Sequence, residues 1–405
     1  MLVPSQPPDN SSIAQLKRVA LFGSTGSIGK TSLSVLRQSP EHEVIGLFAN
    51  SSVELFVEQV REFKPRFAGL ADHAANKVAK AALGNDYQGE WLESENEFIT
   101  FATSNHYDIH IGAIVGIEGI FTALPAYKSG KRVALANKEA LVVGGGFFRD
   151  ALKESHCGTL LPVDSEHSSL FRLIQCIPQN SIAKIGLTAS GGPFFRTPLQ
   201  ELEAVSVEDA LAHPTWKMGK RISLDSATLM NKAFELIEAK WLFDVAPENI
   251  SVKIHPQSIL HGFIECSDGS QFFHGSPPDM ALPITYALHY PGISPIVMPP
   301  FVEGALELLA CDEERFSAIR LGRQVAKQEE EAGIALRFYT ANEVAADAFL
   351  ERKLPFTGIV SFIEEALMRN CIAPLRQPED LRTLLNEERI QLKEWLVDFS
   401  RRCNK

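Results

Sequence analysis

Short apolar runs alternate with longer amphipathic stretches through roughly the first 160 residues. KRVALF (17–22), EVIGLFAN (43–50), FAGLA (67–71), HIGAIVG (110–116), KRVALAN (131–137) and TLLPVD (159–164) have the length and composition of strands. GSTGSIGKTSLSVLRQ follows the first run and opens a helix. VELFVEQVREFKP has the spacing of an amphipathic helix stopped at Pro65. Further helical patterns begin near 72, end near Gly130 and follow Asn137. Strands alternating with helices predict an α/β fold with a parallel, doubly wound sheet.

The pattern then changes twice. KIGLTASG (184–191), ISVKIHP (250–256), ILHGFIECSD (259–268) and SQFFHG (270–275) read as strands, the last two as a hairpin around Asp268-Gly269. This predicts an α+β domain, followed by the Pro-rich connection PGISPIVMPP (291–300). Beyond about 312 every periodic segment is helical: 313–333, 341–352, 359–370 and 381–402. A C-terminal helical bundle is expected there.

A chain of 405 residues exceeds one core, so two or three domains are expected. The net charge of −11 argues against nucleic acid or an anionic membrane as partner, since both reward basic surfaces. It leaves room for a small phosphorylated substrate held in a local basic pocket. No apolar run approaches the ~20 residues that span a bilayer. Cysteines 157, 176, 266, 311, 371 and 403 are scattered without a C-x-x-C pair, which suggests neither a zinc knuckle nor a disulfide framework. A reducing, cytoplasmic setting is expected. The N-terminal stretch lacks signal-peptide character and reads as a short loose lead-in.

Gly23-Ser-Thr-Gly26-Ser-Ile-Gly29 sits between a strand and a helix. That context suits a dinucleotide's pyrophosphate at a helix N-terminus, although the spacing is G-x-x-G-x-x-G. Two other readings stand beside it. Ser24 to Thr31 is one residue away from a phosphate-binding P-loop, with Ser24 in place of the first glycine. A glycine-rich turn without ligand is the third. The second strand ends in Ala49-Asn50-Ser51-Ser52 and carries no acid, so nothing there repels a 2′-phosphate. NADP is favoured over NAD, against the alternative of ordinary turn residues.

PVDSEHSSLF (162–171) ends an apolar run in two carboxylates. Read as strand, Asp164 and Glu166 point the same way at the carboxyl end, where open α/β sheets bind ligands. Two convergent carboxylates need a proton or cation between them, and hard oxygens suit Mg²⁺ or Mn²⁺. The competing reading is a helix N-terminus carrying acids. After Ser226, the segment 221–243 reads as one long helix, apolar nearly all round and therefore buried. Asn231, Lys232 and Glu235 share a face and need partners. A metal would serve Glu235 and a phosphate Lys232 and Asn231; an exposed salt bridge is the bland alternative. AHPTWKMGK (212–220) suits a mobile lid or an ordinary loop. Ser190 in TASGG suits an anion or a plain turn.

These blocks together resemble the 1-deoxy-D-xylulose-5-phosphate reductoisomerases. GSTGSIG, ALANKEALV, PVDSEHSSLF, LTASGGPFF, HPTWKMGKRISLDSATLMNKAFELIEAKWLF and HPQSILHGFIECSDGS carry the likeness in order from residue 21 to about 270, with ANEVAADAFL a weaker match. The resemblance implies rearrangement of the sugar phosphate to a branched aldehyde, then reduction by NADPH to 2-C-methyl-D-erythritol 4-phosphate for isoprenoid synthesis. It implies a Rossmann-like NADP-binding domain (1–163), an α+β catalytic domain (164–300) with lid 212–220, a linker (301–311) and a helical domain (312–405), assembled as a homodimer. Asp164, Glu166 and Glu235 are implied as ligands of Mg²⁺ or Mn²⁺, and Lys138, Glu166, His213 and Glu235 as catalytic. Lys138 and Ser165 match sugar contacts; Ser190, Ser226, Asn231 and Lys232 match the phosphate pocket. His213 matches a substrate contact, with Trp216 and Met218 in the lid. Thr25, Gly26, Ser27, Ile28, Asn50, Ser51, Ser52, Asn137, Glu139 and Gly219 match NADPH contacts. The family's 2′-phosphate loop commonly reads Ala-Gly-(Lys or Ser)-Asn, so Ala49-Asn50-Ser51-Ser52 departs from it and lacks a lysine. The N-terminal extension and the Glu-rich stretch 328–331 also depart from the family and receive no role. A catalytically inactive binding protein of the same fold is the alternative.

Overall fold

A computed structural model describes residues 1–4, 16–154, 157–212, 219–292, 304–328, 332–369 and 375–403. The lead-in 5–15, lid residues 213–218, most of the Pro-rich connection, the start of the linker and Glu329 to Glu331 lie outside the described residues. The chain divides into two compact units: 1–140, 147–175 and 279–300 form the first, and 141–146, 176–278 and 301–405 the second.

The first unit holds strands β1 (Lys17–Phe22), β2 (His42–Ala49), β3 (Phe67–Leu70), β4 (Glu90–Trp91), β5 (Ile109–Gly112), β6 (Arg132–Leu135) and β7 (Thr159–Pro162). They pair in the order β4-β3-β2-β1-β5-β6-β7, every neighbour parallel. Its helices are α1 (Ser27–Leu36), α2 (Val53–Phe63), α3 (His73–Leu83), α4 (Glu95–Ala102), α5 (Ile120–Lys128) and α7 (Ser165–Cys176). Helix α6 (Lys138–Lys153) contributes its two ends. The strand order reverses direction between β1 and β5, which makes their carboxyl ends the switch point where such sheets bind ligands. Strands buried on both faces read as continuous apolar runs, and Val19 to Phe22 are fully buried. An aromatic cluster fills the space beneath β1 and β2: Phe22 lies 4.6 Å from Phe48, and Phe48 5.0 Å from Phe101 of α4.

The second unit contains β8 (Ile182–Ala189), β9 (Ile250–Ile254), β10 (Leu260–Cys266), β11 (Gln271–Gly275) and β12 (Leu309–Ala310), ordered β11-β10-β8-β9-β12. Only β8 and β9 pair in parallel; the other pairs are antiparallel. Helices α8 (Val207–Leu211), α9 (Lys220–Ala227) and α10 (Met230–Phe243) follow β8. Helix α11 (Ala281–His289) belongs to the first unit, where it packs on α1, β6 and β7. Helices α12 (Ser317–Lys327), α13 (Ala332–Leu350), α14 (Phe356–Leu367) and α15 (Asp380–Cys403) form a bundle, with α12 against α10. Arg337 of α13 and Glu388 of α15 form a buried bidentate pair at 3.0 Å, compensating both charges between the helices.

Four expectations are corrected. The run 110–116 is strand only to Gly112, because Asn137 donates its amide to the carbonyls of Ile114 and Gly116 and turns the chain there. Strand β7 stops at Pro162, so Asp164 and Glu166 are helix-start residues and do not alternate along a strand. The helix after Ser226 is broken: α9 ends at Ala227, Leu229 takes φ 59°, and α10 begins at Met230. The segment from 313 becomes helical only at Ser317 and stops at Lys327.

His110 of β5 is fully buried against the Phe22 ring, 4.5 Å away, and burial pushes its pKa down to about 3. The unfolded chain takes up a proton near 6.5 while the folded chain does not, so stability is whole above that pH and falls on acidification. Between pH 7.5 and 5, His110 alone should remove about 2 kcal/mol of unfolding free energy. Urea unfolding of His110→Leu across this range should show a shallower pH slope than the parent.

Candidate active site

The glycine loop lies at the carboxyl end of β1. Gly23 takes φ +93°, and a Cβ there would stand 2.3 Å from the Ala113 carbonyl, which follows β5. A Cβ on Gly29 would stand 2.2 Å from the Gly23 carbonyl. Both positions therefore exclude any side chain, and the loop folds tightly onto the first turn of α1. Gly26 precedes α1 without a side-chain cap, while Thr25, Gly26 and Ile28 are half-buried and Ser27 is exposed. Helix N–H groups thus face outward at the switch point, the cradle a pyrophosphate takes. The P-loop reading fails. The helix starts at Ser27, and Thr31 donates its hydroxyl to the Ser27 carbonyl at 3.1 Å instead of presenting it to a metal. Asn50, Ser51 and Ser52 are exposed at the end of β2, beside the loop on the same edge of the sheet.

Asn137 caps α6, accepting from the Ala140 N–H at 2.6 Å, and its amide nitrogen serves the Ile114 and Gly116 carbonyls. Its side chain is thereby spent on shaping the edge of the cradle. Lys138 and Glu139 begin α6, half-buried. Lys138 Nζ lies 2.9 Å from Asp164 Oδ2, and His167 Nδ1 lies 2.8 Å from Asp164 Oδ1. The Glu166 N–H also reaches Asp164 Oδ1, at 3.2 Å, and Ser165 donates to Glu166 at 2.8 Å. Lys138, Asp164, Ser165 and Glu166 are thus gathered at the edge formed by the carboxyl ends of β6 and β7. His167 was given no role by the sequence. Its signal is the i,i+3 spacing from Asp164 at a helix start, and it is fully buried.

In the second unit, Glu235 is 1% exposed, and both its oxygens are engaged, one by the Lys232 ammonium and one by the Asn231 amide. A buried carboxylate without such partners would not remain charged. The break at Leu229 places Asn231 and Lys232 in the first turn of α10, where Leu229 offers no capping side chain and the Met230 N–H donates to the Thr228 hydroxyl at 3.4 Å. A helix start carrying a lysine and an amide attracts an anion. Ser226 lies one turn earlier, at the end of α9. Ser190 follows β8, and its hydroxyl accepts from the Gly192 N–H at 3.3 Å. A Cβ on Gly192 would stand 2.6 Å from the Ser226 carbonyl, so this turn lies directly on α9. Ser190, Ser226, Asn231 and Lys232 therefore occupy the same neighbourhood of the second unit. Asn342 of α13 donates to the buried Asp225 at 2.9 Å and holds α9 from behind. No local signal announces that contact, since 117 residues separate the pair. Gly219 precedes α9 and is exposed; His213, Trp216 and Met218 lie outside the described residues.

A dinucleotide-type cradle in one unit and an anion-ready helix start in the other define a nucleotide-cofactor α/β enzyme acting on an anionic substrate. Models of the 1-deoxy-D-xylulose 5-phosphate reductoisomerase match residues 19–145, those of its C-terminal domain 160–243, and a further C-terminal domain model 276–391. A reductoisomerase of this name from Nitrosospira multiformis is 41% identical over 94% of this chain and 98% of its own. The solved reductoisomerase from Zymomonas mobilis, in complex with NADPH, is 35% identical with a TM-score of 0.85, covering 94% of this chain and 99% of its own. A reductoisomerase solved with NADPH, fosmidomycin and magnesium is 32% identical with a TM-score of 0.86, covering 96% and 100%. The chain belongs to the 1-deoxy-D-xylulose 5-phosphate reductoisomerase family.

Proposed function

We propose that this chain carries out its family's reaction with the residues described above. It is an NADPH- and divalent-metal-dependent reductoisomerase that converts 1-deoxy-D-xylulose 5-phosphate to 2-C-methyl-D-erythritol 4-phosphate. The observation that carries this is family likeness over nearly the whole chain, and the chemistry-bearing side chains are held in a polar network.

The chain's own groups fit both partners of the reaction. The cradle at Gly23 to Gly29, drawn tight because neither Gly23 nor Gly29 has room for a Cβ, suits a pyrophosphate. Asp164, Glu166 and Glu235 offer hard oxygens, and Lys138 and Lys232 stand beside two of them as ammonium ions do beside ionised carboxylates. In this reading the three carboxylates share one Mg²⁺ or Mn²⁺. When bound, the cation supplies Lewis-acid stabilisation of developing oxygen charge and NADPH supplies hydride. Asn231, Lys232, Ser190 and Ser226, with the start of α10, bind the phosphate, so binding energy remote from the reacting carbons positions them. Lys138 and Ser165 orient the sugar chain, and His167 fixes the Asp164 carboxylate. Thr25, Gly26, Ser27, Ile28, Glu139, Gly219 and the backbone around Asn137 hold NADPH. Asn50, Ser51 and Ser52 face its 2′-phosphate. His213, Trp216 and Met218, in the lid 212–220, contact substrate and exclude water.

A homodimer and a cytoplasmic setting complete the reading. Strand β11 is a sheet edge that exposes Phe272 by 46% and Phe273 by 36% on opposite faces, with no Lys, Arg, Asp or Glu to blunt it. Cys157, Cys176, Cys266 and Cys311 are free thiols, in keeping with a reducing compartment. No described helix is long and apolar enough to cross a membrane.

Glu235→Gln should abolish turnover, followed as NADPH absorbance with 1-deoxy-D-xylulose 5-phosphate, while NADPH binding stays within a few-fold. Full activity in this variant, or in chelator-treated enzyme, would dismiss the metal assignment. Lys232→Ala should raise KM for the sugar phosphate far more than KM for NADPH; equal losses would count against the phosphate pocket. Sedimentation of Phe272→Glu should give half the parent's mass, and an unchanged mass would remove β11 from the interface.

A further inference from the structure

In a parallel sheet all strands begin at one edge, so the start of β2 lies opposite the glycine loop. There Glu41 and His42 meet His289, the last residue of α11, all within the first unit. One ligand atom from each lies within 4.8 Å of the others. His289 Nε2 touches a Glu41 carboxylate oxygen, and His42 Nδ1 lies 3.7 Å from the same oxygen. The two imidazoles meet edge to face with centroids 4.9 Å apart.

The other nitrogen of each ring settles where the protons are. His42 Nε2 lies 3.2 Å from the Leu288 carbonyl, and His289 Nδ1 lies 2.8 Å from the Thr285 carbonyl. A carbonyl only accepts, so both of those nitrogens carry hydrogen. In the neutral rings, His42 Nδ1 and His289 Nε2 then present lone pairs toward Glu41. Three electron-rich atoms converge, an arrangement that a proton or a cation must relieve. A proton on His289 would satisfy the His289–Glu41 contact alone. His42 Nδ1 would still be buried without a hydrogen-bond partner in a residue 8% exposed. Burial, helped by His289, also holds the His42 pKa below the ordinary range, which keeps the ring in its ligand form.

Imidazoles that donate their second nitrogen to backbone carbonyls have the usual support of metal-bound histidines. Two imidazoles and one carboxylate favour zinc over magnesium. The Glu41 side chain is 41% exposed, which leaves an entry path and room for a water as fourth ligand. Arg132, donating to the Leu288 carbonyl at 2.8 Å, brings a positive charge nearby and lowers the affinity without removing a ligand. We propose that Glu41, His42 and His289 form a zinc-class metal site, apart from the reaction centre, that clips α11 to the start of β2. Because 248 residues separate Glu41 from His289, such a clip would tie the returning segment 279–292 to the sheet.

The test uses the full chain, stripped by chelator and returned to excess Mg²⁺ so that hard-oxygen sites are filled. Zn²⁺ is then titrated by calorimetry and Co²⁺ by visible absorption, in parent, Glu41→Gln and His289→Gln. The parent should take up one Zn²⁺ equivalent more than either variant. It alone should show the intense d–d bands of low-symmetry Co²⁺ and a rise in Tm with Zn²⁺. Glu41 is half-exposed, so Glu41→Gln keeps the comparison valid should His289→Gln misfold. Equal uptake by parent and Glu41→Gln, with no difference in Tm response, would overturn the site and leave a His289–Glu41 ion pair.

Discussion

Burying a carboxylate costs more than the fold can bear unless positive charge and donors come with it, and this constraint organises the chain. Glu235 is the clearest case. It is sealed within α10, and its oxygens are met by Lys232 and Asn231 from the preceding turn. That requires the helix to begin just before Asn231, and the left-handed Leu229 supplies the start by ending the run from α9. A positive φ in a leucine costs about 1 kcal/mol or more and is held because its side chain is buried. The same break starts a helix N-terminus just after the end of α9, on which the turn at Gly192 lies.

Asp164 obeys the same rule in the first unit. Lys138 and His167 approach its two oxygens, one from the start of α6 and the other from within α7. Both helices begin where a strand of the parallel sheet ends, so the ion pair is a direct product of the topology. Asn137, one residue before Lys138, fixes where α6 starts and so where that ammonium stands. At the far edge of the sheet, Glu41 meets two imidazoles in place of an ammonium. The chemistry is softer there, and a different metal is expected.

Much of the fold was legible because its physical causes are local. Runs such as KRVALF and FAGLA are continuous because both faces of the sheet are covered. Pro65 ended α2, with Lys64 taking the left-handed cap. Gly269 turned the β10–β11 hairpin with φ +85°. What escaped were elements whose partners are distant. The two-residue strands β4 and β12 exist only through pairing with β3 and β9. Helix α4 is short, and its Phe98 and Phe101 make sense only against the rings of β1 and β2. Spacing also left Asp164 and Glu166 open between two readings, because a Pro-Val-Asp-Ser sequence can finish a strand or start a helix. Pairing stops at Pro162, and the helix takes the acids.

By itself the sequence determined the alternation of elements, the glycine loop whose Gly23 and Gly29 leave no room for a Cβ, and the carboxylates, lysines and amide on which the proposed chemistry draws. It also carried the family likeness, in long blocks that follow one another in order. The tertiary structure alone decided which partner each charge receives: Lys138 for Asp164, Asn342 for Asp225, Arg337 for Glu388 and His289 for Glu41. These pairs bridge from 26 to 248 residues. Local propensity acts over a turn or two, whereas charge compensation acts through space, so only the folded chain could settle them.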